Sequence, residues 1–167
     1  MIKIKREING KLAELTKYED EDMPRLCRIF HEWQKYSEFL VNEGLSQAAL
    51  PAGFSEPFTS YYLNSYNKKG AGVDSFVIKN NQIIELHEIK SSLTKGGFQA
   101  VKLNNHFDYV CWLDLHKHKS KEFYIYKIKR KYIEQEVGKD YKLGLRKVVD
   151  KYGIKPFVKG VVGESYA

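Results

Sequence analysis

The sequence predicts an α/β protein, a mixed central β-sheet flanked by helices. Two observations carry this. Segments of helical periodicity alternate with short strand-like runs, and elements in that order pack as helices over a sheet. The chain's 167 residues, 43% hydrophobic and 29% charged, suit one folded domain spanning 1–167 with its own core.

The first element is a hairpin, "IKIKREINGKLAEL", in which Asn9-Gly10 is a type I′ turn signal between alternating strands. A long helix follows over "DEDMPRLCRIFHEWQKYSEFLVNEG". Asp22 is placed to cap it, Pro24 suits its first turn, and Gly44 can end it. Leu26, Ile29, Phe30, Trp33 and Leu40 recur on one face. A second helix is expected from "EPFTSYYLNSY", with Ser55 as N-cap and Pro57 in the first turn. "NKKGAG", residues 67–72, reads as a loop into a second hairpin, "VDSFVIKNNQIIELHEIKSS". "SSLTKGG" reads as a polar loop, "FQAVKLNNHF" as a short helix, "DYVCWLDL" as a buried strand and "HKHKSK" as an exposed loop. "EFYIYKIK" is a further strand, and "YIEQEV" and "LRKVVDKYG" are helical, with Gly153 closing the last.

Composition narrows the function. No apolar run approaches the ~20 residues of a membrane helix, so no membrane partner is expected. The opening "MIKIKREING" alternates charge with Ile and does not read as a signal peptide. Cys27 and Cys111 sit in apolar patterns and read as reduced core residues of a cytoplasmic protein. The net charge of +7 is concentrated in residues 114–167, which hold 14 Lys/Arg against 7 Asp/Glu. With tyrosines interleaved, that segment suits a polyanion such as nucleic acid, or is a solvated lysine-rich surface. No Gly-rich loop for a nucleotide cofactor and no Ser or Cys nucleophile motif is present.

The second hairpin carries charges where a strand favours apolar residues. Directly opposite residues of an antiparallel pair point to one face. If Asn80, Asn81 and Gln82 form a three-residue loop, opposite residues have numbers summing to 162. Asp74 then faces Glu88, Phe76 faces Leu86, Ile78 faces Ile84, and Lys90 lies beside Glu88 on the same face. A two-residue loop puts Glu88 on the other face, unless a bulge restores the register. Two adjacent carboxylates repel one another unless a cation neutralises them, and hard oxygen ligands of this kind suit Mg²⁺. A metal there can stabilise charge on a phosphoryl group and acidify water, while a lysine steadies the attacking water or the pentavalent oxyanion.

Asp74, followed after a short hairpin by Glu88-Ile89-Lys90, resembles the signature of the PD-(D/E)xK nuclease superfamily. The resemblance covers about residues 54–130 and is closest to small type II restriction endonucleases. It implies a restriction-endonuclease-like core and a Mg²⁺-dependent endodeoxyribonuclease, with Mn²⁺ as substitute. It also implies metal ligation by Asp74, Glu88 and the Ile89 carbonyl. "LPAGFSEPF" is similar to the opening of the helix that precedes the site in small restriction enzymes, which makes Glu56 a further acidic candidate. Val73 stands where the family pattern has Pro. A second acid-x-Lys match, Asp140-Tyr141-Lys142, lies among helical neighbours without a partner hairpin and is set aside.

Further candidates concern DNA. Gln99 is either a phosphate contact or a solvated helical residue, and Lys95 with Gly96-Gly97 either admits the DNA backbone closely or is a plain flexible loop. His116 and His118 have metal-ligand spacing but no Cys or third His beside them, so the loop His116, Lys117, His118, Lys119 and Lys121 reads as a phosphate or groove contact. The expected function is hydrolysis of double-stranded DNA at a short specific sequence. The alternatives are a junction or repair nuclease, or a non-catalytic basic DNA-binding protein. A palindromic site asks for a C₂ homodimer, through helix residues 23–43 and the "KPFVKGVVG" segment, with loop 116–121 and the lysines of 127–131 lining the cleft.

Overall fold

The computed structural model describes residues 1–70 and 72–163. Ala71, inside the loop expected over 67–72, and residues 164–167 lie outside the described residues. The elements run β1 (Ile2–Ile8), β2 (Lys11–Lys17), α1 (Met23–Asn42), α2 (Ala52–Tyr62), β3 (Tyr66–Lys68), β4 (Ser75–Lys79) and β5 (Gln82–Ser92). They continue as β6 (Phe98–Ala100), β7 (Tyr109–Asp114), β8 (Glu122–Lys129), α3 (Arg130–Glu136), β9 (Lys142–Gly144), α4 (Leu145–Lys151) and β10 (Val158–Val161). Eight strands form one mixed sheet in the order β1-β2-β3-β4-β5-β7-β8-β10, parallel only at β5–β7, and β6 and β9 form a separate two-stranded ribbon. This is the expected α/β architecture with a restriction-endonuclease-like sheet.

The sheet buries both faces, and β7 explains how. Cys111, Leu113 and Leu115 point into a cluster with Met23, Leu26, Phe30, Trp33, Phe54 and Phe58 of α1 and α2. Val110 and Trp112 point into the opposite cluster with Ile133, Leu143, Val148 and Val149. A strand covered on both sides is apolar on both faces, which is why Val110 to Leu113 show no alternation, and the buried Asp114 at its end is paired with His116 and Arg146. Both cysteines are free and buried. Among the described residues no helix is long and apolar enough to cross a membrane.

Most expected elements form where the sequence places them. Asn9 and Gly10 both take positive φ, 51° and 74°, as a type I′ turn requires. Helix α1 ends as expected. Gly44 at φ 75° donates to the Val41 carbonyl and Leu45 to the Leu40 carbonyl, a Schellman closure.

Several local expectations are corrected. Asp22 does not cap α1 with its side chain; its carboxylate accepts from the Glu19 N–H at 3.1 Å and pairs with the N-terminal amine at 2.7 Å. Helix α2 begins at Ala52, so Ser55 and Pro57 lie inside it. Phe54 is fully buried against Phe30 and Phe58, and that packing extends the helix upstream past the cap signal. Residues 98–100 form strand β6 and not a helix, because their partner β9 lies some 40 residues on and is invisible locally. Lys142 of the second acid-x-Lys match therefore lies in a short strand, between helices α3 and α4. Strand β3 takes the last residue of the expected second helix, Tyr66, and the start of the expected 67–72 loop, β5 continues through Ser92 into the expected "SSLTKGG" loop, and β10 forms from "KPFVKGVVG".

Candidate active site

The hairpin β4–β5 sets the geometry. Its turn has two residues, Asn80 and Asn81, both left-handed at φ 50° and 57°. That corrects the three-residue loop, and Ile78 pairs with Ile83 instead of Ile84. A bulge between Val77 and Ile78 then restores the even register, so Phe76 pairs with Leu86 and Ser75 with His87. Asp74, one residue before β4, continues that register and stands opposite Glu88. Its N–H donates to the His87 carbonyl at 3.0 Å.

Asp74 is fixed on several sides. Its carboxylate accepts from the Ile89 N–H at 2.6 Å. Its carbonyl accepts from the Lys68 N–H at 2.8 Å and the Asn67 side-chain amide at 3.2 Å. Burial pushes the Asp74 carboxyl up to about 7; Glu88 and Glu56 add to this, while the Ile89 N–H and Lys90 oppose it. Glu88 is 6% exposed, and its Oε1 meets Lys90 Nζ at 2.8 Å. Its Oε2 is buried without a hydrogen-bond partner among the described residues. Glu56 comes to the same place from α2. Burial raises its carboxyl, the nearby Glu88 adds to the shift, and Asn67 and Lys90 oppose it. Glu56, Asp74, Glu88 and Lys90 thus form one electrostatic unit.

This unit fits a hard divalent cation. An orphaned carboxylate oxygen in a buried, three-acid environment is costly unless a cation completes it. Among the described residues no three or more His, Cys, Asp or Glu side chains gather into a cage. Mg²⁺ does not ask for one, because it keeps several waters and binds through one or two carboxylates.

The other candidates lie elsewhere. Gln99, on β6, donates from Nε2 to the Ser91 carbonyl at 2.9 Å. Lys95 is exposed in the turn after β5. Gly97, at φ 57°, lies against the Trp112 indole, where a Cβ would collide. His116 is held by Asp114, whose Oδ1 meets its Nδ1 at 2.9 Å. His118 lies against α1, its carbonyl accepting from Gln34 at 2.7 Å, and Lys117 pairs with Glu122 at 2.9 Å. His116 lies six residues along β7 from Val110, the partner of Glu88, roughly 20 Å away at ~3.3 Å per residue. Lys119 and Lys121 share this loop, whereas lysines 127–131 lie at the far end of β8, so the two basic segments are not one patch.

The sequence reading missed a polar array behind the hairpin. His87 is fully buried, with Nδ1 3.3 Å from Ser75 Oγ and Nε2 3.0 Å from Glu85 Oε2. Glu85 is paired to Lys127, and Ser75 Oγ accepts from Ser65 Oγ at 3.1 Å. The signal was available: the register that pairs Asp74 with Glu88 also pairs Ser75 with His87.

A family profile described as Bsp6I restriction endonuclease matches residues 18–151. No curated protein and no solved structure matches the chain.

Proposed function

From its membership in the Bsp6I restriction endonuclease family, which makes this chain a nuclease of a restriction system acting on DNA, we propose that it is a type II enzyme. It hydrolyses both strands of duplex DNA at a short specific sequence with Mg²⁺, or Mn²⁺ in its place. The observation that carries the reading is the meeting of Asp74, Glu88 and Lys90 at the open end of one hairpin, with a buried Glu88 oxygen left over for a cation.

Asp74 and Glu88 are the metal ligands in this reading, with the Ile89 carbonyl beside them and Glu56 acting nearby or through water. The bound metal supplies a Lewis acid for the scissile phosphate and lowers the pKa of bound water. The chain's own residues do the rest. The Ile89 N–H holds the Asp74 carboxylate in place before substrate arrives. Lys90, held by Glu88 Oε1, presents its ammonium to the attacking water or to the charge growing on phosphorus. Burial around Asp74 and Glu88 keeps the local dielectric low, which strengthens each of these interactions.

Double-strand cleavage at a palindrome needs two such sites, so the functional unit is a C₂ homodimer. Phe39 and Tyr36, each 57% exposed on α1, and the sheet-ending strand β10 support its location. Lys95 and, farther along the sheet, the His116, Lys117, His118, Lys119 and Lys121 loop are the proposed DNA contacts, while Gln99, bonded to the Ser91 carbonyl, holds the adjoining ribbon in place. Digesting duplex DNA of known sequence in Mg²⁺ tests the reading. Discrete fragments with constant ends support it, and cutting confined to branched substrates points to a structure-specific nuclease instead.

A further inference from the structure

We propose that the outer face of the β6–β9 ribbon enters the major groove of the DNA substrate, with Phe98 against base edges and Lys142 on the phosphate backbone; this rests on the nuclease reading above. The ribbon is tied to the proposed catalytic strand. It follows β5 after one short turn, and Gln99 on its inner face donates to the carbonyl of Ser91, the residue after Lys90. Leu143 and Val101, also facing inward, sit in the core cluster beneath. The Leu145 N–H donates to the Gly97 carbonyl at 3.0 Å, closing the base.

The outer face is built unlike a plain solvated edge. Phe98 is 76% exposed, although a strand normally turns an aromatic inward. Its ring has a prepared seat: a Cβ on Gly96 would stand 2.7 Å from it and one on Gly144 3.5 Å. The ring therefore lies beside two glycines and keeps most of its surface open to solvent. Ala100 pairs with Lys142 on the same face as Phe98. Tyr141, 49% exposed, holds φ 58°, a left-handed backbone that a bulky residue seldom adopts. The Tyr141 carbonyl, accepting from the Val101 N–H at 2.8 Å, helps to keep it there.

The charge says what this face meets. The ribbon and its flanking turns carry Lys95, Lys102, Lys139 and Lys142 against the single acid Asp140 in residues 94–102 and 138–144, and Lys142 shares the face of Phe98. An apolar protein surface would not seat well among four lysines, whereas a polyanion would. Two strands about 4.8 Å apart, with their side chains, fit a major groove about 12 Å wide.

The test uses the full chain carrying Phe98→Ala or Lys142→Ala. Duplex binding is read by fluorescence anisotropy in Ca²⁺, on a random-sequence pool and on the wild-type cleavage site, and cutting is read in Mg²⁺. Lys142→Ala should weaken both duplexes alike and reduce the salt slope by about 1. Phe98→Ala should cut the cognate site roughly 10-fold or more slowly and narrow the gap between cognate and random DNA. Wild-type binding and cutting by Phe98→Ala overturns the inference while the nuclease reading stands. Should the wild-type chain cut no DNA, the nuclease reading fails, and binding to the random pool decides. A loss in Lys142→Ala then supports the ribbon as the DNA contact, and wild-type affinity in that variant overturns it.

Discussion

Asp74 reaches across its hairpin to accept a 2.6 Å hydrogen bond from the backbone N–H of Ile89, the residue between Glu88 and Lys90. One contact thereby fixes the first acid relative to the second acid and the lysine. It also couples the site to the bulge between Val77 and Ile78, without which Asp74 and Glu88 would lie on opposite faces.

The Asp74 carboxyl, pushed up from 3.8 to about 7, makes a prediction about pH. A carboxyl whose folded pKa is raised binds more protons folded than unfolded, so its contribution favours folding at low pH. That contribution is lost as pH climbs from about 4 to about 7. Metal-free Asp74→Asn should match the wild type near pH 4 and exceed it above pH 7, by a few kcal/mol at most. Urea unfolding across that range, in a chelator, measures the gap. A gap that does not widen with pH contradicts a raised Asp74.

Lys90→Ala should lower the cleavage rate roughly 100- to 1,000-fold while leaving most DNA affinity, because the lysine acts on the transition state. Single-turnover cutting and anisotropy on the same duplex separate the two. Equal losses in both would mark Lys90 as a simple phosphate contact.

His87→Ala removes the centre of the Ser75–His87–Glu85 array and opens a cavity behind Asp74 and Glu88. The expected cost is about 2–4 kcal/mol of stability, from lost packing and unpaired buried groups. Chemical denaturation gives the value, and a cost under about 1 kcal/mol would show that the array is dispensable.

Light scattering should give a mass of two chains on cognate DNA, and Phe39→Asp on α1 should weaken that assembly if α1 forms the interface. A protein that remains monomeric on DNA and nicks one strand contradicts the dimer while leaving the site intact.

Much of this was legible in the sequence, and the exceptions share a cause. Asn9-Gly10 and the β8 run "EFYIYKIK" announce themselves because their signals are local. The Asp74–Glu88 pairing was legible only conditionally, since the turn length and the bulge trade off against each other. Strand β6 was hidden because its partner β9 is distant, and the start of α2 was set by burial of Phe54 rather than by Ser55. The polar array around His87 was hidden for a related reason. A buried histidine looks like any strand residue until Ser75 and Glu85 are known to flank it.

The most direct test is incubation of the wild type and Asp74→Ala with a sequenced plasmid in Mg²⁺, with Ca²⁺ in parallel. Discrete fragments are expected from the wild type in Mg²⁺, with little cutting in Ca²⁺, whose looser coordination holds the attacking water poorly. Asp74→Ala should retain its fold by circular dichroism and cut at least about 1,000-fold more slowly. Cleavage by Asp74→Ala at the wild-type rate, or intact plasmid with the wild type in Mg²⁺ and in Mn²⁺, would contradict a metal-dependent nuclease centred on Asp74, Glu88 and Lys90.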